Sequence, residues 1–592
     1  MTLNVELDKL TPPKDITPEE RNAAFEFIRR KIASHRHTAA RYVEEERRVA
    51  SEGDDEHSKG YDEQFVKELN KWANALLQNA WVACGEPGQE CPIIDELSDT
   101  STRGLAPLPS DEQMNKLVNT MTFLHITTTK QYSAHARALL SLLPGDTFPD
   151  ERVIAETLKH PDAALRNAAE AAESTRAEKA SANKTWRKIG IGASAVAGGA
   201  LIGITGGLAA PLVGAGVTTV LAWLGAGGTA AGLLASGLAG STAVCTALFG
   251  AYGARTSARM AGRHLKDVED FAVLPVTRTT AGSTPDPSAV SETLAVRICV
   301  SGWLADQTDV TAPWTVFDTS KTDTYALQWE IAALQKLSSA LGDLIKSHAM
   351  KYVKAEIIRR TVFASLMASL SPIVWLKIGK LIDNPWSNAR ALAIKTGVLL
   401  ATLLKERAFG NRPVTLTGYS LGSLVILSAL NELSRLPPSE TAHLVEDVFL
   451  MGTPAPAGDL KMWTRVRRVV AGRLVNAYVS AEEDYVLAVL SRLSLSSLSS
   501  AAVFADWGVA GLQPVPVSGV ENIKVEGVYG HVQWRGMVGR TLATCGARGL
   551  DMDEVHLQES FVVERLKEAE DGEMVDADEE KRLMNDESLE PK

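Results

Sequence analysis

PVTLTGYSLGSLVILSALNEL, residues 413–433, decides how the rest of the chain is read. VTLTG is apolar and β-branched, as a buried strand requires, and SLVILSALNEL carries apolar residues at helical spacing. Gly418-Tyr419-Ser420-Leu421-Gly422 therefore falls on a strand-to-helix turn, the setting of a nucleophile elbow. In such a turn the serine sits on strained backbone at the edge of the sheet, and a β-carbon at either flanking position would collide with neighbouring chain. Gly418 and Gly422 meet that demand, and Ser420 is the candidate nucleophile.

On either side of this stretch lie short β-rich runs separated by helical ones. TLAVRICVSGW (293–303), TYALQWE (324–330), EDVFLMGTP (446–454), LVNAYVS (474–480) and ENIKVEG (521–527) join PVTLTGYS (413–420) as expected strands. Strands alternating with helices make an α/β fold with a mainly parallel sheet, and the elbow makes it an α/β-hydrolase fold. This module is expected over residues 291–548.

A serine hydroxyl is a weak nucleophile and needs a histidine base oriented by a carboxylate, in the chain order Ser, acid, His for this fold. Three histidines follow Ser420: His443, His531 and His556. His443 leaves no room for a strand and an acid before it, and His556 lies at the approach to the acidic C-terminal stretch. His531, just beyond ENIKVEG, is the expected base. Asp484, in the loop after LVNAYVS, is the expected acid, with Asp459 in GTPAPAGDLKMW as its competitor and Glu482 and Glu483 as solvated charges. An oxyanion needs backbone donors from the residue after the nucleophile and from the loop after an early strand. Leu421 supplies the first and Trp303 or Leu304, in CVSGWLAD, the second. This chemistry requires no metal and no organic cofactor.

Residues 1–149 carry helical periodicity, as in AAFEFIRRKI and FVKELNKWANALLQNAW, and read as an all-α N-terminal domain. Residues 150–188, rich in Ala, Glu, Lys and Arg, read as a charged connecting helix. Residues 189–254 contain no charged side chain and suit two membrane-crossing helices, about 189–215 and 227–253. Gly199, Gly203 and Gly207, and Gly228, Gly232, Ser236 and Gly240, recur at the four-residue spacing that lets helices approach closely in lipid. Basic residues flank both ends, which places both termini and the hydrolase module in the cytosol by the positive-inside rule. A linker, 255–290, and an acidic tail, 549–592, complete the division. Another apolar stretch, between Lys354 and Pro385, reads as a core helix, with a lid or membrane contact as alternatives; Arg359, Arg360, Lys377 and Lys380 speak against a full span.

With 592 residues, a formal charge of -11 and five scattered cysteines, the chain is a multi-domain protein of a reducing compartment. Nucleic acid is not an expected partner. No secretory signal is read at the N-terminus.

DTYALQWE, NPWSNARALA, RPVTLTGYSLGS, FLMGTPAP, RVVAGRLVNAYVSAEEDYVL, VAGLQPV and the final Gly530-His531 occur in that order. In this the chain resembles the transmembrane and coiled-coil domain-containing protein 4-like family of eukaryotes, long catalogued as of unknown function, over roughly Met114 to Gln533. The resemblance implies the Ser420, Asp484 and His531 assignment, membrane association and a lipase- or esterase-like activity. Glu483-Asp484-Tyr485 matches the acid loop of that family. The expectation is hydrolysis of an ester, of acyl lipids above all, at the cytosolic face of an internal membrane such as the Golgi, endosome or ER. The alternative is an inactive membrane adaptor that recruits trafficking proteins through its N-terminal helices.

Overall fold

The computed structural model describes residues 6–49, 55–144, 148–170, 221, 228–250, 270–277, 293–304, 306–349, 372–481, 483–484, 486–488, 490, 508–528 and 531–560. The expected first hairpin helix (189–215), residues 171–188 of the connecting helix, residues 354–371 of the second apolar stretch and the tail beyond 560 lie outside these.

The N-terminal helices follow from their end signals. Helix α1 (Pro18–Val49) starts on proline, and Thr17 and Glu20 cap it reciprocally: Glu20 N donates to Thr17 Oγ1 at 3.2 Å and Thr17 N to Glu20 Oε2 at 2.9 Å. After α2 (Asp55–Ala83), Ser110 and Gln113 form the same box at the start of α3 (Asp111–Thr129), and α4 (Ala134–Leu140) and α5 (Glu151–Lys159) follow. Their apolar faces share one core that includes Leu77, Leu117, Phe123 and Leu139.

Two short helices, α6 (Gly228–Ala239) and α7 (Ser241–Phe249), join that core through Leu234, Leu238, Leu248 and Phe249. They occupy the second expected membrane helix, 227–253, but break at Gly240 with a bend of 64°. Among the described residues no single helix is long and apolar enough to cross a membrane; this bent pair passes that test only when taken together. Its leucines are spent on protein packing: Leu234 and Leu248 are fully buried against the bundle.

The remaining chain forms a seven-stranded sheet: β1 (Phe271–Pro275), β2 (Val296–Val300), β3 (Asp323–Trp329), β4 (Val414–Tyr419), β5 (Val445–Met451), β6 (Leu474–Tyr478) and β7 (Val520–Lys524), in the order β1-β3-β2-β4-β5-β6-β7. All neighbours are parallel except β1 and β3. The six expected strands are present. β1 was missed; it lies within 255–290, read as linker, and closes one edge by pairing Phe271 with Trp329. β2, β4 and β5 are buried along their whole length, as strands covered on both faces must be. Helices α8 (Ile331–Ala349), α9 (Pro372–Lys405), α10 (Leu421–Leu433) and α11 (Leu460–Arg468) connect the strands. α9 runs on through Pro385 and packs against α10, where Ser428 Oγ donates to the Ile394 carbonyl at 3.0 Å. The chain leaves β2 toward β3 and leaves β4 toward β5, on opposite sides. The crevice at the carboxyl ends of β2 and β4 is thus a topological switch point, where α/β sheets place their ligands.

The helical bundle packs directly on the sheet unit. Arg468 Nε lies 2.6 Å from Glu46 Oε2, and Tyr132 N donates to the Asn411 carbonyl at 3.0 Å.

Candidate active site

Ser420 stands at the switch point between β4 and α10 with φ 54° and ψ -129°, a conformation that non-glycine residues seldom adopt and that surrounding structure must impose. Ser420 N donates to the Met451 carbonyl at 2.9 Å, which ties the turn to β5. A β-carbon on Gly422 would lie 2.0 Å from the Val300 carbonyl oxygen, and one on Gly418 would lie 2.7 Å from Ile426 Cδ1. The two glycines therefore let the elbow close onto β2 and α10. The first intrahelical bonds of α10 come from Ser423 and Leu424 to the Ser420 carbonyl. Leu421 N–H, earlier in the first turn, has no partner within the helix and is available to an anion.

Ser420 Oγ lies 2.5 Å from His531 Nε2, and His531 Nδ1 lies 2.8 Å from Asp484 Oδ2. All three side chains are essentially inaccessible to solvent. His531 opens a 3₁₀ turn (His531–Gly536) after β7, and Asp484 sits in the loop after β6, where its Oδ1 accepts Leu487 N–H at 3.0 Å. Each of the three residues thus follows the carboxyl end of a different parallel strand.

The loop after β2 approaches the elbow from the other side. A β-carbon on Gly302 would stand 2.2 Å from the Tyr419 carbonyl oxygen and 2.2 Å from Gly422 N. The Trp303 carbonyl accepts Tyr419 Oη–H at 2.9 Å, which fixes the peptide joining Trp303 to Leu304. The Trp303 ring stands edge-on to His531, with centroids 6.0 Å apart, and its Nε1 meets no acceptor. Trp314 Nε1 donates to Ser301 Oγ and Trp329 Nε1 to the Ser301 carbonyl, both at 3.0 Å, so aromatic donors hold the loop in place.

The competing residues are engaged elsewhere. Asp459 is exposed and caps α11, its Oδ1 accepting Met462 N–H at 3.0 Å. His443 is half-buried with Nδ1 2.9 Å from Ser133 Oγ, and His556 is exposed on the helical residues 552–560. Glu483, expected to be solvated, is half-buried and accepts both N–H and Oγ–H of Ser480, at 2.9 and 2.8 Å. Glu482 and Tyr485 lie outside the described residues. Among the described residues no group of three or more His, Cys, Asp or Glu is arranged to hold a metal ion.

Sequence reasoning missed three contributors. Trp534 Nε1 donates to Asp484 Oδ2 at 3.0 Å, Arg535 pairs with Asp309 at 2.6 Å and so ties the His531 turn to the loop after β2, and Gly302 permits the close approach just described. The i, i+3 spacing of His531 and Trp534 in HVQW was the only signal for the first.

Several curated proteins are similar to this chain. The Schizosaccharomyces pombe "Uncharacterized membrane protein C6F6.13c" is 39% identical over 373 residues, 62% of this chain and 60% of its own length. The "Transmembrane and coiled-coil domain-containing protein STS1" of Oryza sativa subsp. japonica is 36% identical over 417 residues, 68% of this chain and 59% of its own. The Saccharomyces cerevisiae "Probable lipase MIL1" is 30% identical over 336 residues, 56% of this chain and 29% of its own. The chain thus spans about three fifths of the length of the first two and less of the third. No solved structure matches it significantly. With residues 183–548 matched by a family described as "Protein of unknown function (DUF726)", and with relatives whose names agree with the resemblance seen in its motifs, the chain belongs to that family.

Proposed function

We propose that the chain is a serine hydrolase of the α/β-hydrolase fold that cleaves ester bonds of acyl lipids at an internal membrane. The observation that carries this reading is the unbroken hydrogen-bonded series from Ser420 Oγ through both nitrogens of His531 to Asp484. In the proposed reaction Ser420 Oγ attacks the acyl carbon while His531 Nε2 takes its proton, and Asp484 holds the imidazole and stabilises the imidazolium. The carbonyl oxygen becomes an oxyanion held by the Leu421 amide and by that of Trp303 or Leu304. His531 then returns the proton to the departing alcohol, and water cleaves the acyl-enzyme by the same steps in reverse order.

A lipid substrate is favoured by the apolar residues at the serine, with Leu421 next in the chain and Trp303 against His531 both buried, and by the probable-lipase name of one relative. Membrane attachment through residues 189–254 is supported by their lack of charge and by relatives named as membrane proteins. The basic flanks favour the proposed topology, with both termini and the hydrolase module, residues 291–548, in the cytosol. The adaptor alternative, with trafficking partners on the N-terminal helices, finds no support in the geometry.

Labelling of the detergent-extracted full chain with a fluorophosphonate probe tests the reading. Strong labelling, lost in Ser420→Ala and His531→Ala, is expected; a well-folded wild type that takes no label would sink it.

A further inference from the structure

His531 and Trp534 stand three residues apart on one 3₁₀ turn, His531–Gly536. Side chains at i and i+3 eclipse in such a turn, so the two rings project to the same side. Both reach a single atom: Asp484 Oδ2 lies 2.8 Å from His531 Nδ1 and accepts Trp534 Nε1–H at 3.0 Å. The other oxygen, Oδ1, accepts Leu487 N–H. The carboxylate is fully buried, and so is Trp534, so water replaces none of these donors.

The sheet makes room for the indole at one point. Gly452, directly after β5, has φ 56°, and a β-carbon there would lie 2.7 Å from Trp534 Nε1 and 2.8 Å from Cε2. A side chain at 452 would be strained by its backbone and would also occupy the space of the pyrrole ring. Glycine at 452 and tryptophan at 534 are thus two halves of one arrangement.

We propose that Trp534 is a positioning residue of this site: its indole N–H locks the Asp484 carboxylate with Oδ2 facing His531, and Gly452 admits the indole. The inference rests on the hydrolase reading. The torsion that turns an aspartate carboxylate is broad, so a carboxylate held only by its histidine and one backbone amide can rotate away. A second donor on Oδ2 removes that freedom. It also shares the charge of Oδ2, and so tempers the hold of Asp484 on the imidazolium formed when Ser420 gives up its proton.

Hydrolysis of p-nitrophenyl butyrate by the detergent-extracted full chain tests this. Trp534→Phe keeps an aromatic ring and removes the N–H. The expected result is a kcat at least tenfold lower with KM within twofold, and a displaced ascending limb of the pH–rate profile, because the placement and the charge of Oδ2 against His531 both change. Loss of packing alone would not move that limb. Should Trp534→Phe lose its cooperative melt, Gly452→Ala is the second arm: it pushes the indole off Oδ2 while leaving it in the chain, and the same fall in kcat is expected. An active wild type whose kcat and pH profile are unchanged in the folded variant overturns the positioning role alone. A folded wild type that neither turns over the ester nor takes the fluorophosphonate label overturns the hydrolase reading and this inference with it.

Discussion

A β-carbon on Gly302 would stand 2.3 Å from the amide nitrogen of Leu421, so the loop after β2 and the first residue of α10 meet backbone to backbone. The two sources of oxyanion donors proposed for this site are therefore in direct contact, and neither can shift without the other. Gly302→Ala must open that contact, since the colliding atoms are main chain and have no rotamer to escape into. Loss of one well-placed oxyanion donor slows acyl transfer by about 100- to 1,000-fold. Fluorophosphonate labelling of Gly302→Ala is expected to slow to that extent; Gly458→Ala, where a β-carbon meets nothing within 4 Å, serves as the control and should label normally. Equal labelling of the two variants would remove the loop from the site.

The two aspartates weighed from the sequence separate cleanly in the structure. Asp484 is fully buried and bonded to His531, whereas Asp459 is exposed and bonded to the first turn of α11. Asp484→Asn keeps the shape but removes the charge that selects the imidazole tautomer, a change that costs about 10⁴-fold in an established triad. Asp459→Ala removes a helix cap and is expected to cost about 1 kcal/mol of stability with labelling intact. Turnover rates and thermal melts of the two variants check both statements, and a reversal of the two phenotypes would reassign the acid.

Much of this was legible because it is local. The elbow was readable from Gly418 to Gly422, since strand, turn and helix each leave a composition signal within a few residues, and the six expected strands were readable as short β-rich runs between helical ones, even β7, which is largely exposed. β1 escaped because FAVLP is five residues long and lies in polar surroundings; only its pairing with β3 makes it a strand. Residues 228–249 are ambiguous from sequence because a charge-free run of Leu, Ala and Gly satisfies a bilayer and a helical bundle equally, and the break at Gly240 is small on a hydropathy scale. The Trp534–Asp484 and Arg535–Asp309 contacts span 50 and 226 residues, a distance over which no periodicity operates.

The joint between bundle and sheet rests on a buried ion cluster. Arg137 of α4 donates to Glu151 at 2.7 and 3.0 Å and to Glu446 of β5 at 2.6 Å, and Arg548 pairs with the other oxygen of Glu446. Burial pushes the Glu446 carboxyl up, but Arg137 and Arg548 outweigh it and hold the group below its ordinary range. Arg137→Met leaves Glu446 buried with one partner fewer, and removing one side of a buried pair costs about 3–5 kcal/mol. Thermal unfolding of Arg137→Met should therefore shift down by many degrees, whereas Arg137→Met combined with Glu446→Gln and Glu151→Gln should recover part of the loss. A single variant as stable as wild type would show that the cluster is not what joins the two parts.

Histidines buried at and beside the same joint make stability depend on acid. His35 Nε2 lies 3.1 Å from His135 Nδ1, and the rings of His135 and His443 are 5.9 Å apart. Burial lowers His35 to about 4, with Arg467 adding to the effect, lowers His125 to about 4 by itself, and lowers His443 to about 3 with help from Arg407, His125 and Lys71. A histidine with a depressed folded value leaves stability untouched while both states are neutral, above about pH 6.5. As pH falls from 6.5 toward 4 the unfolded chain takes up a proton that the folded one refuses, so stability drops by up to about 1.4 kcal/mol per pH unit for each group. Below the folded value the loss is complete and levels off for that group. Burial raises the carboxyls of Glu46 and Asp447, which work in the opposite sense at the acid end of this range, so the test is a difference between variants. His125 Nδ1 has no hydrogen-bond partner, so His125→Leu removes the titration with little lost bonding. Denaturant midpoints of wild type and His125→Leu, measured from pH 7 to pH 4.5, should diverge steadily as acid is added, the variant holding its stability better; parallel curves would mean that His125 protonates as readily in the folded chain as outside it.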